Sequence, residues 1–400
     1  MNLEIAIAGG GVGGFAAALA LSRGGNDVTL FEKTSAFSEI GAGIQLGSNV
    51  TRILQNWGLL EAVRQVAIAP DCLLVRSAIT ANVLGELRLG KAMDQRYGAP
   101  YLTMYRADLH SVLLQATQQT ATVLQLDCGV QSFQQTPQTL YLQTSRGAQE
   151  ADVLVGADGL WSTTRTQLLS DGPTRRTGHL AYRALIKQAD LPQQLRSQNV
   201  TAWLGPNMHA VQYPVRGGEW LNVVVFIHGD VPSDFQNWNH NANAADLSDA
   251  LRDTCTALQD LLNAVHDWRL WVMHDRPPMQ GAHQMAQGRV ALLGDAAHPM
   301  RPYLAQGAGM AIEDAAELGW VLAAATSANA PVALQHYAAN RWQRNARVQA
   351  RALRNGQIFH ATGPTRWGRD LAMKLMGERL LDMPWLYGQR YLSASVLCKK

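Results

Sequence analysis

Residues 9–14 read Gly-Gly-Gly-Val-Gly-Gly, set between a short apolar stretch at 3–8 and a stretch of helical patterning that runs to Arg23. Strand, glycine turn and helix in that order form the phosphate-cradling start of a βαβ unit. Gly9 permits the tight turn, Gly11 lets the backbone approach a pyrophosphate, and Gly14 lets helix and strand pack closely. The pyrophosphate then rests on the helix N-terminus, where N–H groups lack intrahelical partners and the helix dipole is positive. A second strand at 27–31 ends at Glu32, eighteen residues beyond Gly14, where an acid accepts hydrogen bonds from an adenosine ribose. A carboxylate at that point favours free 2′-hydroxyls over a 2′-phosphate. A bound dinucleotide is expected.

The 400 residues are long for one hydrophobic core, so a two-lobed enzyme is expected. With 47% apolar and 16% charged residues the chain reads as globular. A net charge of +3 is too small to argue for a nucleic-acid partner, and it suits a small anionic substrate. Cys72, Cys128, Cys255 and Cys398 share no C-x-x-C spacing, which speaks against a zinc site or a disulfide framework. No basic leader precedes the first strand, and no segment reaches the ~20 apolar residues of a membrane span. A cytoplasmic protein is expected.

The spacing predicts a helix after residue 48, with Asn49 as its cap, Val50, Ile53, Leu54 and Trp57 on one face, and Gly58 as its stop. Strand patterns at 71–89 take the chain out of the nucleotide lobe, and Tyr105-Arg106-Ala107-Asp108 brings it back on a helix to about 118. Short strands near 123–128 and 140–144 lead to a buried run at 151–156. Residues 178–272 read as a β-rich lobe, with 211–215 and 220–228 paired across the turn at 216–219. A polar loop at 229–245 and one helix over 247–265 follow, then re-entry at 289–293 and a helical C-terminal third. The expected division is a nucleotide lobe of 1–70, 101–177 and 275–400, with a substrate lobe of 71–100 and 178–274.

Two further motifs end strands in glycine and acid. The first is Gly156-Ala157-Asp158-Gly159-Leu160-Trp161-Ser162-Thr163-Thr164-Arg165, and the second runs from Arg289 through Gly294-Asp295-Ala296-Ala297-His298-Pro299. Beyond the second, Gln306-Gly307-Ala308-Gly309 opens a helix through Glu313-Asp314 to Leu322, with a bare N-terminus suited to negative charge. These motifs, in this order and spacing, resemble the single-component flavoprotein aromatic hydroxylases, the family of 4-hydroxybenzoate, salicylate and 3-hydroxybenzoate hydroxylases. The stretch 40–46, Ile-Gly-Ala-Gly-Ile-Gln-Leu, is most similar to the 3-hydroxybenzoate 6-hydroxylase, salicylate 1-hydroxylase and 6-hydroxynicotinate 3-monooxygenase members.

The resemblance implies an α/β fold, with a Rossmann-like FAD lobe and a β-sheet substrate lobe, and tightly bound FAD. Gly9, Gly11, Val12, Gly14, Glu32 and Lys33, with Val130, would hold its ADP part. Arg106 would contact its phosphates or ribityl chain, Asp295 its ribityl hydroxyls, and Gln45, Gly307 and Ala308 would also be cofactor residues. Asp158 would serve FAD and the nicotinamide donor together. The implied reaction is hydroxylation of a phenolic aromatic acid with O2 and NADH, or NADPH, through a flavin hydroperoxide. One dinucleotide fingerprint leaves the nicotinamide cofactor a transient visitor. Homodimerisation is compatible with this reading; a nucleic-acid partner or a membrane segment is not part of it.

The catalytic candidates are His209, Tyr213 and Tyr303. His209 and Tyr213, four apart on a strand and therefore on one face, match the 3-hydroxybenzoate pattern. His209 would take or share the phenol proton, since its ordinary pKa lies near working pH; the alternative is a half-exposed strand histidine. Tyr213 would bond the substrate or pack. Tyr303 follows Pro302 where relatives carry a histidine, which makes it a pocket residue of open role. His298 reads as structural, and Arg183 as a carboxylate or NADH ligand or a salt-bridge partner. Arg341, Arg344, Arg347, Arg351 and Arg354 form a helical stripe that reads as a solvated face. A flavoprotein oxidase or dehydrogenase on the same lobe is the alternative enzyme class. No G-x-S-x-G, H-E-x-x-H or Walker A sequence supports a hydrolase.

Overall fold

The computed structural model describes residues 2–37, 42–229, 240–241 and 244–389. Cys398, Trp238, residues 40–41 of the 40–46 motif and most of the polar loop expected at 229–245 lie outside the described residues. Strands Glu4–Ala8, Asp27–Phe31, Val123–Gln125, Val153–Gly156 and Val290–Leu292 form a parallel sheet, edged by the antiparallel Ala286–Gln287. Its central strands are apolar on both faces because both are covered: helices pack on one, and the antiparallel sheet of Val130–Gln135, Leu140–Thr144 and Gly147–Ala151 packs on the other, as a parallel sheet requires. Helices Val12–Arg23 and Gly307–Leu322 pack on one another and bury Phe15, Leu19, Ile312 and Leu318 completely.

An eight-stranded sheet carries the second layer. Its order is His240–Asn241, Arg269–Asp275, Arg175–Lys187, Trp220–His228, Met208–Val215, Val200–Gly205, Cys72–Ser77 and Val83–Arg88. The hairpin at 216–219 pairs Val215 with Trp220, so the expected partners meet in the expected register. The sheet meets the nucleotide layer through the short strand Gly43–Leu46. Gly43 N donates to Asn222 Oδ1 (2.7 Å), and Thr103 Oγ1, on the strand paired with 43–46, donates to Pro214 O (2.6 Å). The sheet's 209–213 segment is thereby held against the nucleotide lobe. Among the described residues no helix is long and apolar enough to cross a membrane.

Three local expectations are corrected. Asn49 does not cap its helix: the helix is Ser48–Asn56, its N-cap is Gly47, and Asn49 reaches across to Gln306 and Glu313 (3.1 and 2.7 Å). Asn49 is the second residue of the helix, one place too late to cap it, and its Nδ2 is drawn to the buried acceptors of the neighbouring helix and its N-cap. The helix expected over 247–265 is two, Ala244–Ala250 and Thr256–Asn263, because Cys255 N leaves the helical path to donate to Ala78 O (2.7 Å). The arginine stripe is a solvated face only in part: Arg347 and Arg354 are exposed, but Arg341 and Arg344 turn inward. On the 30-residue helix Ala330–Phe359, Arg341 is 1% exposed and pairs with Asp314 (2.8 Å) and Glu313 (3.0 Å), while Arg344 pairs with Glu313 (2.6 Å) and Arg347 covers Trp385. Two consecutive acids on Gly307–Leu322 draw these two arginines inward.

Asp314 also accepts from Gly294 N (3.3 Å) and contacts His298 Nε2 (2.6 Å), fixing the turn that presents Asp295. Burial alone would raise its carboxyl, but His298 and Arg341 outweigh burial and hold it down to about 2. A carboxyl depressed on folding contributes stability that is present above its unfolded value and is lost as pH falls through the folded one. Equilibrium denaturation is therefore expected to show roughly 2 kcal/mol from this group disappearing between about pH 4 and pH 2. Asp314→Asn, which leaves the buried Arg341 under-compensated, is expected to cost about 3–5 kcal/mol at neutral pH; an unchanged denaturation midpoint would contradict this.

Candidate active site

The glycine turn folds as its residues require. Gly9 has φ +106°, a left-handed conformation that L side chains rarely adopt, and a Cβ on Gly14 would stand 1.9 Å from Gly9 O. Helix Val12–Arg23 begins at Gly11 with no side-chain cap, so its leading N–H groups face the cleft. Glu32 braces the turn by accepting from Gly10 N (2.7 Å). Lys33 and Val130 lie beside Glu32 at the edge of this lobe, away from the cleft lining.

The cleft, about 310 Å³, runs between the layers and is lined by Gly11, Val12, Gln45, Arg106, Asp295, Gly307 and Ala308 among others. Helix Gly307–Leu322 enters it with Gln306 at its N-cap and no side-chain cap. Asp158 does not turn its carboxylate into the cleft. It accepts from Ser162 Oγ (2.5 Å), Thr164 N (3.0 Å) and Thr164 Oγ1 (2.9 Å), capping the helix Thr163–Leu169, while its neighbours Ala157 and Gly159 line the cleft. Arg165, last in that motif, donates to Ala296 O (3.0 Å) and pairs with Asp171 (2.5 Å). The Asp-Gly segment thus scaffolds the turn that bears Asp295.

A second cavity of about 640 Å³ adjoins the cleft, and Gln45, Val211, Phe226, Pro302 and Ala305 line both. The three catalytic candidates divide between them. Tyr213 lines the cleft, beside Gly43, while His209 and Tyr303 line the second cavity. His209 is 1% exposed, stacked on Phe226 and edge-on to Tyr303 at 4.7 Å. Burial first, then His360 and His179, lower its pKa well below the ordinary value, so the ring is neutral and keeps a lone pair for a hydrogen bond. Burial raises the Tyr303 phenol, whose oxygen lies 2.6 Å from His179 Nδ1. Gln45 connects the two cavities: Tyr101 Oη donates to its Oε1 (2.6 Å), and Tyr213 bonds it as well.

Arg183 lines the cleft with its guanidinium 3.7 Å above the Trp271 ring. Its Nε is buried without a hydrogen-bond partner, and no acid pairs with it among the described residues. Burial lowers its pKa to about 10. A desolvated cation of this kind is costly unless an anion completes it.

Sequence reasoning missed His179, His228 and His360, which gather behind His209. They come from a strand, the end of the strand paired with it and the cap of a helix, and only the folded sheet sets His179 opposite His228.

The FAD binding domain family matches residues 2–352. The chain is 38% identical to a 3-hydroxybenzoate 6-hydroxylase of Polaromonas naphthalenivorans (strain CJ2), over 97% of this chain and 96% of that protein. The chain belongs to this family of FAD-dependent aromatic hydroxylases. A 3-hydroxybenzoate 6-hydroxylase of Klebsiella oxytoca is 35% identical over 96% of both chains. A salicylate hydroxylase solved as a substrate complex superposes with a TM-score of 0.83 at 26% identity, covering 97% of this chain and 96% of that one. The hydroxylase is thus an FAD-dependent monooxygenase, and the oxidase alternative is not favoured.

The hydroxylase's own residues fit the flavin dinucleotide. The uncapped helix starts at Gly11 and Gly307 and the exposed Asp295 carboxylate border one cleft, and the two glycines that no side chain could replace, Gly9 and Gly14, hold the turn that presents Gly11 to it. Uncapped N-termini suit the pyrophosphate and the electron-rich edge of the ring, and the carboxylate suits hydroxyls.

Proposed function

We propose that this hydroxylase acts on a phenolic aromatic acid of the 3-hydroxybenzoate or salicylate class, with NADH as the preferred electron donor. The observation that carries this reading is one wall of the paired cavities. It offers a half-buried cation without an acid, Arg183, and a buried neutral imidazole, His209, on the strands Arg175–Lys187 and Met208–Val215 that flank Trp220–His228. A carboxylate completes the first, and a phenol hydrogen-bonds to the second.

In this reading Gly9, Gly11, Val12, Gly14 and Glu32, with Lys33 and Val130 nearby, hold the adenosine end of FAD; Gln45, Arg106, Asp295, Gly307 and Ala308 hold the remainder, and Asp158 shapes the turn beside it. When bound, the flavin accepts hydride from the nicotinamide donor and activates O2. Arg183 orients the carboxylate, and His209 draws off the phenol proton so that the ring carries phenolate character. Phe226, Trp271 and the apolar strand residues keep water out. We assign 71–100 and 178–274 to the substrate lobe and the rest to the FAD lobe, in a cytoplasmic enzyme that need not be a monomer and has no nucleic-acid partner.

The test is a panel of salicylate, 3-hydroxybenzoate, 4-hydroxybenzoate and 6-hydroxynicotinate, following NADH loss and product mass together. A hydroxylated product at near one per NADH with one of the first two supports the reading; turnover of none of the phenolic acids overturns it. Arg183→Met is expected to raise KM for the carboxylate substrate about 10- to 100-fold, the worth of one charge-assisted contact. A phenol lacking the carboxyl should lose far less. Equal loss on both would place Arg183 elsewhere in the chemistry. The donor preference fails if NADH and NADPH give equal kcat/KM.

A further inference from the structure

Three imidazoles form a hydrogen-bonded chain from the cavity to the protein surface. His209 Nδ1 lies 2.6 Å from His360 Nε2, and His360 Nδ1 lies 2.8 Å from His228 Nε2. His209 is 1% and His360 6% exposed, whereas His228 is exposed to solvent. The fourth ring, His179, is stacked on His360 (5.0 Å, 19°) and tilted over His228 (4.3 Å, 35°), holding both in place.

We propose that His360 and His228 relay the proton taken up by His209 to solvent, so that the buried pocket exchanges protons with water without opening. The proposal rests on the reading of His209 as the group that meets the phenol.

The step balances without an external reagent. The phenol O–H breaks and its proton bonds to His209 Nε2. The Nδ1 proton of His209 passes to His360 Nε2, that of His360 Nδ1 to His228 Nε2, and that of His228 Nδ1 to water. Each neutral ring changes tautomer and none stays charged. Return of a proton along the same path to the product's phenol oxygen resets all three.

The surroundings favour such a chain. An imidazole must be neutral to be donor and acceptor at once. The charged and titratable groups facing the cluster are Arg301, Arg369, Asp275 and Tyr303. Arg301 is paired with Asp275 (2.8 Å), and Arg369 donates to Ile358 O and Phe359 O at the helix end that carries His360. Burial, then neighbouring rings and these cations, holds His360 down to about 3. Ligand atoms of His179, His228 and His360 lie within 4.8 Å of one another, a spacing that invites a metal ion. However, stacked rings do not aim their in-plane lone pairs at one point, His179 Nδ1 is engaged with Tyr303, and the Arg301 guanidinium sits 3.4 Å from His179 Nε2. The geometry favours transfer along the chain over coordination.

The test uses the FAD-loaded enzyme. NMR exchange of the His209 ring N–H with water needs no substrate. It is expected to be fast for so buried a ring, and to slow at least 10-fold in His228→Ala and in His360→Gln. Free imidazole should restore the rate in His228→Ala, a rescue that a merely structural role would not show. With 3-hydroxybenzoate as probe, proton release on binding, read by an indicator dye, should slow and recover in parallel. If 3-hydroxybenzoate neither binds nor releases a proton, the proposed substrate class fails while ring exchange still decides the relay. Unchanged exchange in His228→Ala and His228→Gln overturns the relay, as does slowed exchange that imidazole does not restore. Stoichiometric Zn²⁺ binding that His179→Ala abolishes would also overturn it, since a metal would occupy the nitrogens the chain needs.

Discussion

Gly11→Val is expected to give a folded but colourless protein, with affinity for added FAD reduced roughly 100-fold or more. Gly11 sits at φ −78° and ψ −175°, extended backbone that valine adopts readily, so the chain itself tolerates the change. The isopropyl group, however, projects where the uncapped N-terminus of helix Val12–Arg23 must receive the pyrophosphate. Overpacking of that order costs about 1–3 kcal/mol, and the loss of close contact with a charged ligand adds to it; each 1.4 kcal/mol is about tenfold in affinity. Fluorescence titration with FAD, alongside circular dichroism to establish the fold, reads this directly. Wild-type affinity in the variant would mean that the pyrophosphate lies elsewhere. Gly14 is the internal contrast: a Cβ there meets Gly9 O at 1.9 Å, so substitution should damage the fold and the affinity together.

His209→Ala is expected to slow hydroxylation about 10²- to 10⁴-fold, the usual cost of a missing general base. Reduction of the flavin by NADH should change far less, because hydride transfer does not use that proton. The ratio of product formed to NADH consumed should therefore collapse. Burial keeps the wild-type imidazole neutral, so its proton-accepting form is already populated at neutral pH, and activity should not fall with a histidine-like midpoint near 6.5. Anaerobic flavin reduction measured beside product yield separates the two half-reactions. Normal coupling in the variant would leave His209 a packing residue and move the search to Tyr213, which lines the flavin cleft, or Tyr303.

The nucleotide-binding part was legible because its chemistry is local. Glycines at fixed offsets, an acid at a strand end and a helix start each act through backbone within a few residues, so the turn at 9–14, the strand end before Glu32 and the helix start at Gly307 could be located from order alone. The placement of Asp158 was less secure: the residues that claim its carboxylate, Ser162 and Thr164, stood in the same motif, yet only the folded turn shows that they do. Part of the arginine stripe misled for a related reason. Helical spacing predicts which residues share a face, and Arg341 and Arg344 do, but whether that face meets water or Glu313 and Asp314 depends on which helix packs against it.

By itself, the sequence determined the dinucleotide fold and the strand pairing at 211–228, whereas His209 was singled out only through the family resemblance. Tertiary structure decided everything that depends on convergence. It alone sets Tyr213 and His209 in adjoining cavities, leaves Arg183 over Trp271 without an acid, and brings His360 from a helix end to within 2.6 Å of a ring 151 residues earlier. The physical reason is range. Backbone conformation and periodicity are governed by near neighbours, whereas burial, pKa and proton paths are properties of groups that only packing brings together.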